Sequence, residues 1–583
     1  MKTLLTFTGV TTLLTIQAFA ALPAPDADNG GISLPPGFAA VVVADNLVVG
    51  HKTGNNTDRL RFLAVAPNGD VYAKTSFGGI IALRDTDGDG KADVKQEFGS
   101  GGGTGIAVHD GSLYHSTNDA VYRYRLTPGE LVPAGEPELM ISGLPNEKHT
   151  HDAKSFTFDD RGHLLVEVGS PYNVYSDGDR GRGAKGRDAT EFLKTHGGFW
   201  RFDADKPGQA FADGFHFSTG HRHSLAVAWN RTAQAFFMVM MGRDQLNTVA
   251  PEFYDDQDNA ERVAEEMHRL HEGVNLGWPY TYYDPIRKAR MVAPEFGGNN
   301  EKRAEPGKYD EPLVAFPAHW APLQMAFYYG EQFPEKYRGG AFIAFHGSWN
   351  RAPKSQQGYK VAFVPFDEKG MPTGEYESFA DGFSGRVDFT STRDARFRPA
   401  GLAVGPDGSL YVGDSEKGRI WRIFYVGNNP ARRTSEGATS KSSEDAQSGK
   451  RAPVARVTPV SAVEKEQSTS TKPARELPAR GRKIYAQQCA TCHMADGSGV
   501  ASLQPALTND PIVSGDAARL IDVVLRGPAA VLPADRPRYA NAMPGFAHLT
   551  NAELADLLTF VRGSFGNDAP AVKTADVAAK RAK

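Results

Sequence analysis

The chain of 583 residues predicts a mainly β fold, a six-bladed β-propeller, followed by a small all-α domain. A strand, tight turn, strand pattern recurs along the first 425 residues, while long helical periodicity is missing there. Near the C-terminus the apolar residues switch to helical spacing. A tract free of aromatic residues, between Tyr425 and Tyr485, separates the two regions.

At the N-terminus, Lys2 precedes an apolar run from Leu4 to Ile16, and Ala18-Phe19-Ala20 offers a small-residue cleavage site. The run is short for a membrane anchor, so a leader over 1–20 and a mature start at Ala21 are expected, with no membrane span after cleavage. The net charge of -4 over so long a chain gives no indication of nucleic acid.

Residues 21–426 carry the hairpin pattern. It reads Val65-Ala66-Pro67-Asn68-Gly69-Asp70-Val71-Tyr72, then Val108 to Tyr114, Phe158 to Leu165 and Val404 to Tyr411. The turn glycines Gly69, Gly111 and Gly162 recur at intervals of 42 and 51 residues, within the range of a propeller blade. Six blades of about 60 to 65 residues with insertions fill the length, and seven remain compatible with it.

From 427 to 475 the composition turns to Ser, Thr, Lys, Glu, Ala and Pro, which predicts a disordered, flexible tether. The α domain is expected over 476–566, with a disordered tail over 567–583. Thr550 and Glu553 form a capping box, Leu554, Leu557, Leu558 and Val561 follow at helical spacing, and Gly563 can stop the helix.

That domain contains Cys489-Ala490-Thr491-Cys492-His493, the spacing that attaches a c-type haem through two thioethers and ligates iron with the adjacent histidine. Cys489 and Cys492 are the only cysteines of the chain, so none remains for a disulfide. Met494 adjoins the proximal His493 and cannot reach the opposite face of the haem. Met543 is therefore the expected sixth ligand, stiffened by Pro544, with His548 as the rival. Methionine raises the iron potential, which suits an electron acceptor. With Ile484 and Tyr485 on the entering helix, the region resembles a class I cytochrome c domain. Haem on exported cysteines points to a periplasmic protein.

The first region resembles the soluble quinoprotein sugar dehydrogenases, in particular the sorbosone dehydrogenase-like branch that uses pyrroloquinoline quinone (PQQ). The resemblance runs from about Leu34 to Phe424. It rests on His151-Asp152-Ala153-Lys154 leading into Val168-Gly169-Ser170-Pro171-Tyr172-Asn173, on Gly220-His221-Arg222-His223 and on Asn275-Leu276-Gly277-Trp278-Pro279-Tyr280. Further blocks are Pro317 to Leu323, Phe345-His346-Gly347-Ser348-Trp349-Asn350-Arg351, and Arg398-Pro399 before Gly405-Pro406-Asp407-Gly408.

The resemblance implies that His151 is the general base, taking the proton of an anomeric hydroxyl while hydride passes from the same carbon to the quinone. An imidazole titrating near working pH suits this role. His149 is the neighbouring alternative, as a base or in a metal-binding His-x-His pair. Arg222, which the resemblance also places in the catalytic site, Arg351 and Arg398 match cofactor-contacting positions, with Lys154 and Asn350 behind them. Guanidinium forks suit the three carboxylates of PQQ. Tyr172, Trp320 and Trp349 are expected sugar-stacking surfaces. His223 stands where glucose dehydrogenases of this type carry asparagine, and Gly401 where an acidic residue is common, so glucose specificity is not implied.

Calcium accompanies PQQ in this family, and Glu266 matches a carboxylate near that ion. Separately, Asp85, Asp87, Asp89 and Asp93 occupy positions 1, 3, 5 and 9 of an EF-hand-like loop whose twelfth position is Gln96, not glutamate. A structural calcium and an empty acidic turn are both open readings. The two regions together imply a periplasmic quinohaemoprotein that oxidises a sugar, or an aldehyde such as sorbosone, and passes electrons through haem c to a further cytochrome or the respiratory chain. The rival readings are a propeller without PQQ serving as a binding module beside an electron-carrying or sensing haem, and a quinone-free lyase or lactonase.

Overall fold

The structure is a computed structural model, which describes residues 22–53, 56–147, 150–427, 477–489, 493, 497, 505–508, 510–533, 543 and 545–581. The expected leader and nearly all of the expected linker lie outside these residues. Two compact units result, Met1–Arg433 and Thr434–Lys583.

Among the described residues six sheets of four or five strands form the blades of a propeller in the first unit, antiparallel except for a short parallel edge strand in blades two and three, and three two-stranded sheets accompany them. The inner strands of the blades, in chain order, are Leu60–Val65, Ile106–His109, Phe156–Phe158, Ala226–Asn230, Pro322–Phe327 and Pro399–Val404. Blade six is closed by the N-terminal strand Phe38–Ala44, which pairs antiparallel with Ile420–Tyr425 and joins the two ends of the ring. The recurring hairpins of the sequence are the inner two strands of blades one, two, three and six. In blade two the turn residues Asp110 and Gly111 have φ of 42° and 68°, the left-handed pair of a type I′ turn matched to strand twist.

Burial explains the ring. Trp421 is fully buried, with Phe383 and Phe397 edge-on at 5.2 and 5.1 Å, and each space between neighbouring blades is filled in this way. Near the axis the strands approach so closely that a side chain on Gly401 would stand 2.6 Å from Leu63 Cγ and 2.8 Å from the Arg61 carbonyl. Leu63 and the Arg61 carbonyl therefore leave no room for a side chain at Gly401. Gln324 bridges three blades, accepting from the amides of Leu63 and Leu402 and donating to the Leu63 carbonyl.

All six inner strands run in the same direction around the axis, so their N-terminal ends share one mouth with the C-terminal ends of the second strands. His151, Lys154, Arg222, His223, His319 and Arg398 lie just before inner strands. Ser170, Asp244, His346 and Glu416 lie just after second strands. Residues far apart in sequence are thereby gathered at one face.

In the second unit, Ala479–Gln488 crosses Asn551–Arg562 so tightly that a side chain on Gly481 would meet the Asp556 carbonyl at 2.1 Å. The capping box is formed: the Glu553 amide donates to Thr550 Oγ1, and Glu553 accepts from the Thr550 amide at 2.8 Å. The expected disordered tail is corrected. Thr574–Arg581 is a helix whose Val577 is fully buried in the domain core, while Lys580 pairs with Asp522 at 2.6 Å. Val572 and Val577 supply apolar anchors too sparse to show as a period.

Candidate functional site

His151 lies at the propeller mouth, in a short helical turn just before the inner strand of blade three. Its Nδ1 lies 2.7 Å from the Ser170 carbonyl, which can only accept, so Nδ1 carries a proton and the ring is held in one orientation. The Ser170 amide donates to the Arg222 backbone carbonyl at 2.9 Å, so one residue ties the His151 side chain to the Arg222 main chain. His223 stacks on His151 with ring centroids 4.5 Å apart and planes 21° apart. His223 Nδ1 in turn lies 3.1 Å from Glu167 Oε1. Gly169 allows this: a Cβ there would lie 2.7 Å from the His151 carbonyl, 2.8 Å from Glu167 and 3.0 Å from His223. His149 lies outside the described residues.

Arg222 is buried and donates Nη2 to Asp244 at 2.6 Å, while its Nε has no partner. A buried guanidinium N–H without an acceptor is costly in a finished interior and apt in a site that awaits an anion or carbonyl. Burial disfavours the charge on Asp244, but Arg222, Arg180 and His319 outweigh it and hold the carboxyl at about 2. Relative to its ordinary value near 4, the depressed group stabilises the fold by about 2 kcal/mol at neutral pH, a contribution present above about pH 4 and lost as pH falls through about 2. Asp244→Asn is therefore expected to lower the propeller unfolding temperature at pH 7, with the difference from wild type shrinking as the pH approaches 2. Differential scanning calorimetry across that range checks it.

On the opposite side of the mouth, Arg59 and Arg398 share Glu416, at 3.0 and 3.4 Å. Arg61 joins them; burial, then Arg59 and Arg398, lower it to about 10, so it remains charged at neutral pH. Burial and the same three arginines keep His346 neutral, and its Nε2 meets Ser415 Oγ at 2.7 Å. Cations outnumber their carboxylate here. Arg59, Arg61, Asp244 and Glu416 escaped the sequence reading, yet their places beside inner-strand starts and second-strand ends were the available signal.

Lys154 is buried and donates to the Asp152 carbonyl at 2.7 Å, leaving further N–H directions free. Arg351 is corrected as a cofactor grip: its three nitrogens reach the carbonyls of Ala260, Ala318 and Ser355 and the Glu261 carboxylate, making it a strut for its loop. Asn350 belongs to that strut, its amide 3.2 Å from His319 Nε2 and its carbonyl accepting from Asn259. Trp320 is 8% exposed and its Nε1 faces Gln357, so it packs the core instead of offering a stacking face. Tyr172 is half-buried, in edge contact with Tyr175 and Phe192 and beneath Arg187. Trp349 is half-buried in its short helical turn.

Glu266 is likewise corrected as a calcium ligand. One of its oxygens meets Arg290 at 2.6 Å and His268 at 3.2 Å, and the other accepts from the Tyr283 amide, so its charge is already answered by protein cations. Asp85, Asp87 and Asp89 bring carboxylate oxygens within 4.8 Å of one another, a donor set able to hold a hard cation. Asp93 turns away to the Thr86 amide and hydroxyl, both at 2.7 Å.

In the helical unit, His493 Nδ1 lies 2.9 Å from the Pro505 carbonyl, which fixes the proton there and leaves Nε2 for iron. Cys489 and Met543 both pack against the same apolar cluster, whereas His548 is exposed. Cys492 lies outside the described residues. Met543→Ala is expected to leave the haem covalently attached, to abolish the weak sulfur-to-iron band at long wavelength and to lower the potential. A visible spectrum and a redox titration read both effects; a wild-type spectrum that lacks the band and is unchanged by the substitution would transfer the ligand to His548.

A ring of blades with a histidine-bearing, cation-rich mouth, continued in the same chain by a histidine prepared for haem iron, defines a class: propellers extended by a c-type cytochrome. Residues 42–425 match the TrAA12-like family, to which the chain belongs, and residues 478–564 match the cytochrome c family, which implies haem c. The PQQ-dependent pyranose dehydrogenase of Coprinopsis cinerea is 33% identical over 234 residues, 35% of this chain and 28% of that protein. The cytochrome c subunit of the quinone alcohol dehydrogenase of Gluconobacter oxydans is 40% identical over 97 residues, 16% of this chain and 20% of that subunit. The chain thus spans under a third of each of these relatives. Among solved structures, a calcium structure of the Trichoderma reesei AA12 protein superposes with a TM-score of 0.54 at 18% identity, covering 70% of this chain and 99% of that one. The holo PQQ domain of the Coprinopsis cinerea enzyme gives 0.53 at 18% identity, covering 69% and 98%.

Proposed function

We propose that the chain is a periplasmic quinohaemoprotein dehydrogenase that oxidises the anomeric carbon of a sugar to a lactone, or a related aldehyde, and sends the electrons through its own haem c. The observation that carries the reading is the buried, unpartnered Nε of Arg222, whose backbone carbonyl is held by the same Ser170 that accepts from His151 Nδ1. TrAA12-like membership and the PQQ-dependent Coprinopsis relative support it.

Bound at the mouth with calcium, PQQ supplies a two-electron acceptor, and haem c hands electrons on singly. Arg59, Arg61 and Arg398 would hold its carboxylates, while Arg222 and Lys154 offer donors to its carbonyl oxygens. His151 Nε2 takes the proton of the substrate hydroxyl, and its Nδ1 stays tied to Ser170, so the ring keeps one orientation as it becomes cationic. Asp244 holds Arg222 extended, which keeps a fixed positive charge near the reacting oxygen. Tyr172 and Trp349 supply half-buried aromatic faces for a sugar ring. A downstream cytochrome or the respiratory chain completes the route.

The test is to reconstitute the full-length haem protein with PQQ and calcium and to record its haem spectrum before and after adding a panel of aldoses and aldehydes. Substrate-dependent haem reduction that requires PQQ is expected. A PQQ-loaded protein whose haem stays oxidised with every substrate would overturn the reading.

A further inference from the structure

The helix Thr574–Arg581 has no part in the electron route above, yet it is firmly fixed to the haem domain. Val577 is fully buried in the cluster that contains Leu520 and Leu558, and Lys580 pairs with Asp522 on the helix Ala517–Arg526 at 2.6 Å. Just upstream, the Val572 amide donates to Thr559 Oγ1 at 3.0 Å, and that hydroxyl donates to the Val572 carbonyl at 3.2 Å. Arg581, in the last turn, therefore stands on an anchored base.

From this base its guanidinium donates to two main-chain carbonyls, Nη1 to Ala547 at 2.8 Å and Nη2 to Leu549. Both carbonyls belong to the segment that follows Met543. Phe546 of that segment is buried, and its amide donates to the Val524 carbonyl at 2.8 Å. Gly545 runs so near the same helix that a Cβ would stand 2.6 Å from the Leu525 carbonyl. Ala547 and His548 are exposed, so Arg581 holds the segment where core packing does not.

We infer that Arg581 is a positioning residue for the sixth axial ligand of the haem: it clamps the segment 543–549, from which that ligand comes. This deepens the haem half of the proposed function and rests on axial ligation from that segment, independently of PQQ and sugar. A guanidinium presents its N–H groups in one rigid plane and bonds two carbonyls at once, a geometry that an ammonium does not reproduce. Exposed ion pairs contribute little because two mobile, solvated side chains must be ordered together. Arg581 instead meets backbone acceptors from a helix that is already fixed. Ala547 is four residues from Met543, so a movement that frees the sulfur strains or breaks the bond to Arg581. Without the clamp the open population grows, and the apparent affinity of an added iron ligand grows with it.

The test titrates imidazole into the full-length ferric haem protein, without PQQ or sugar, for wild type, Arg581→Ala, Arg581→Lys and Lys580→Ala. Imidazole binds iron where the sixth ligand gives way, and the haem spectrum reads it. Thermal melting at the Soret band reads the stability of the domain. Arg581→Ala is expected to bind imidazole about tenfold more tightly, the scale of a lost hydrogen bond to a charged group, with Arg581→Lys between it and wild type. Lys580→Ala loosens the same helix without touching the segment, so it should lower the melting temperature and leave the imidazole affinity at the wild-type value. Unchanged affinity in Arg581→Ala, or an equal rise in Lys580→Ala, would overturn the inference. A wild-type spectrum without the sulfur-to-iron band would sink Met543 as the ligand in favour of His548. The tenfold rise would then still uphold the clamp, because His548 stands between the two residues whose carbonyls Arg581 holds. Failure of sugar-dependent haem reduction would bear on the dehydrogenase reading alone.

Discussion

His151→Ala is expected to lower sugar-dependent turnover by roughly a hundred- to ten-thousand-fold, the range lost with a positioned general base, while PQQ binding persists. The geometry separates the two effects. The ring contributes one proton-accepting atom, Nε2, whereas the cationic groups suited to the cofactor stand on other elements, on Arg59, Arg61, Arg222 and Arg398. The Ser170 backbone loses the Nδ1 donor but keeps its bond to the Arg222 carbonyl, so the loop has a remaining anchor. Steady-state rates with a dye acceptor, alongside PQQ content by absorbance after gel filtration, check both halves. Near-normal turnover would move the base elsewhere, with His149 the next residue to replace.

What could be read from the sequence followed from local rules. The hairpins of blades one, two, three and six announce themselves because their turns need glycine at positive φ, as at Gly69 and Gly408. Blade four turns through Asn230 to Gln234 without glycine, its left-handed position being Gln234 at φ 49°, and blade five joins Phe327 to Ala341 by a long loop. Neither leaves a short signature. The capping box is likewise local, and the structure keeps Thr550 and Glu553 in the geometry that pattern implies.

Tertiary roles were the harder part. Glu265 and Glu266 are neighbours on a strand and so face opposite sides. Glu265 accepts from the amides of Gly242 and Ala321 near the mouth, while Glu266 turns to Arg290 and His268. Nothing in the order of the two letters says which faces the site. Arg351 shows the same limit, since its residue type fits a carboxylate grip and only the surrounding carbonyls reveal a strut. Asp244 was missed because its value lies in holding Arg222, a residue 22 positions away.

Removing the chain after Gly427 is expected to leave sugar oxidation intact with a small dye acceptor and to abolish it with a cytochrome or electrode that accepts electrons only from haem. The propeller closes on itself through Phe38–Ala44 and Ile420–Tyr425, so truncation after Gly427 removes no strand of its ring. His151, Arg222 and Asp244 all stay within it. A flexible tether of about fifty residues has a root-mean-square span of about 35 to 40 Å and would hold a haem at a local concentration in the millimolar range. Transfer within one molecule should therefore outrun transfer between molecules. Shortening the linker by some twenty residues should change the haem-dependent rate only modestly until its span falls below the reach required. Steady-state activity of full-length, shortened and truncated proteins with each acceptor is the measurement. Equal loss with both acceptors would mean that the propeller needs the haem domain in order to function at all. Equal retention would mean that electrons leave the quinone by another route.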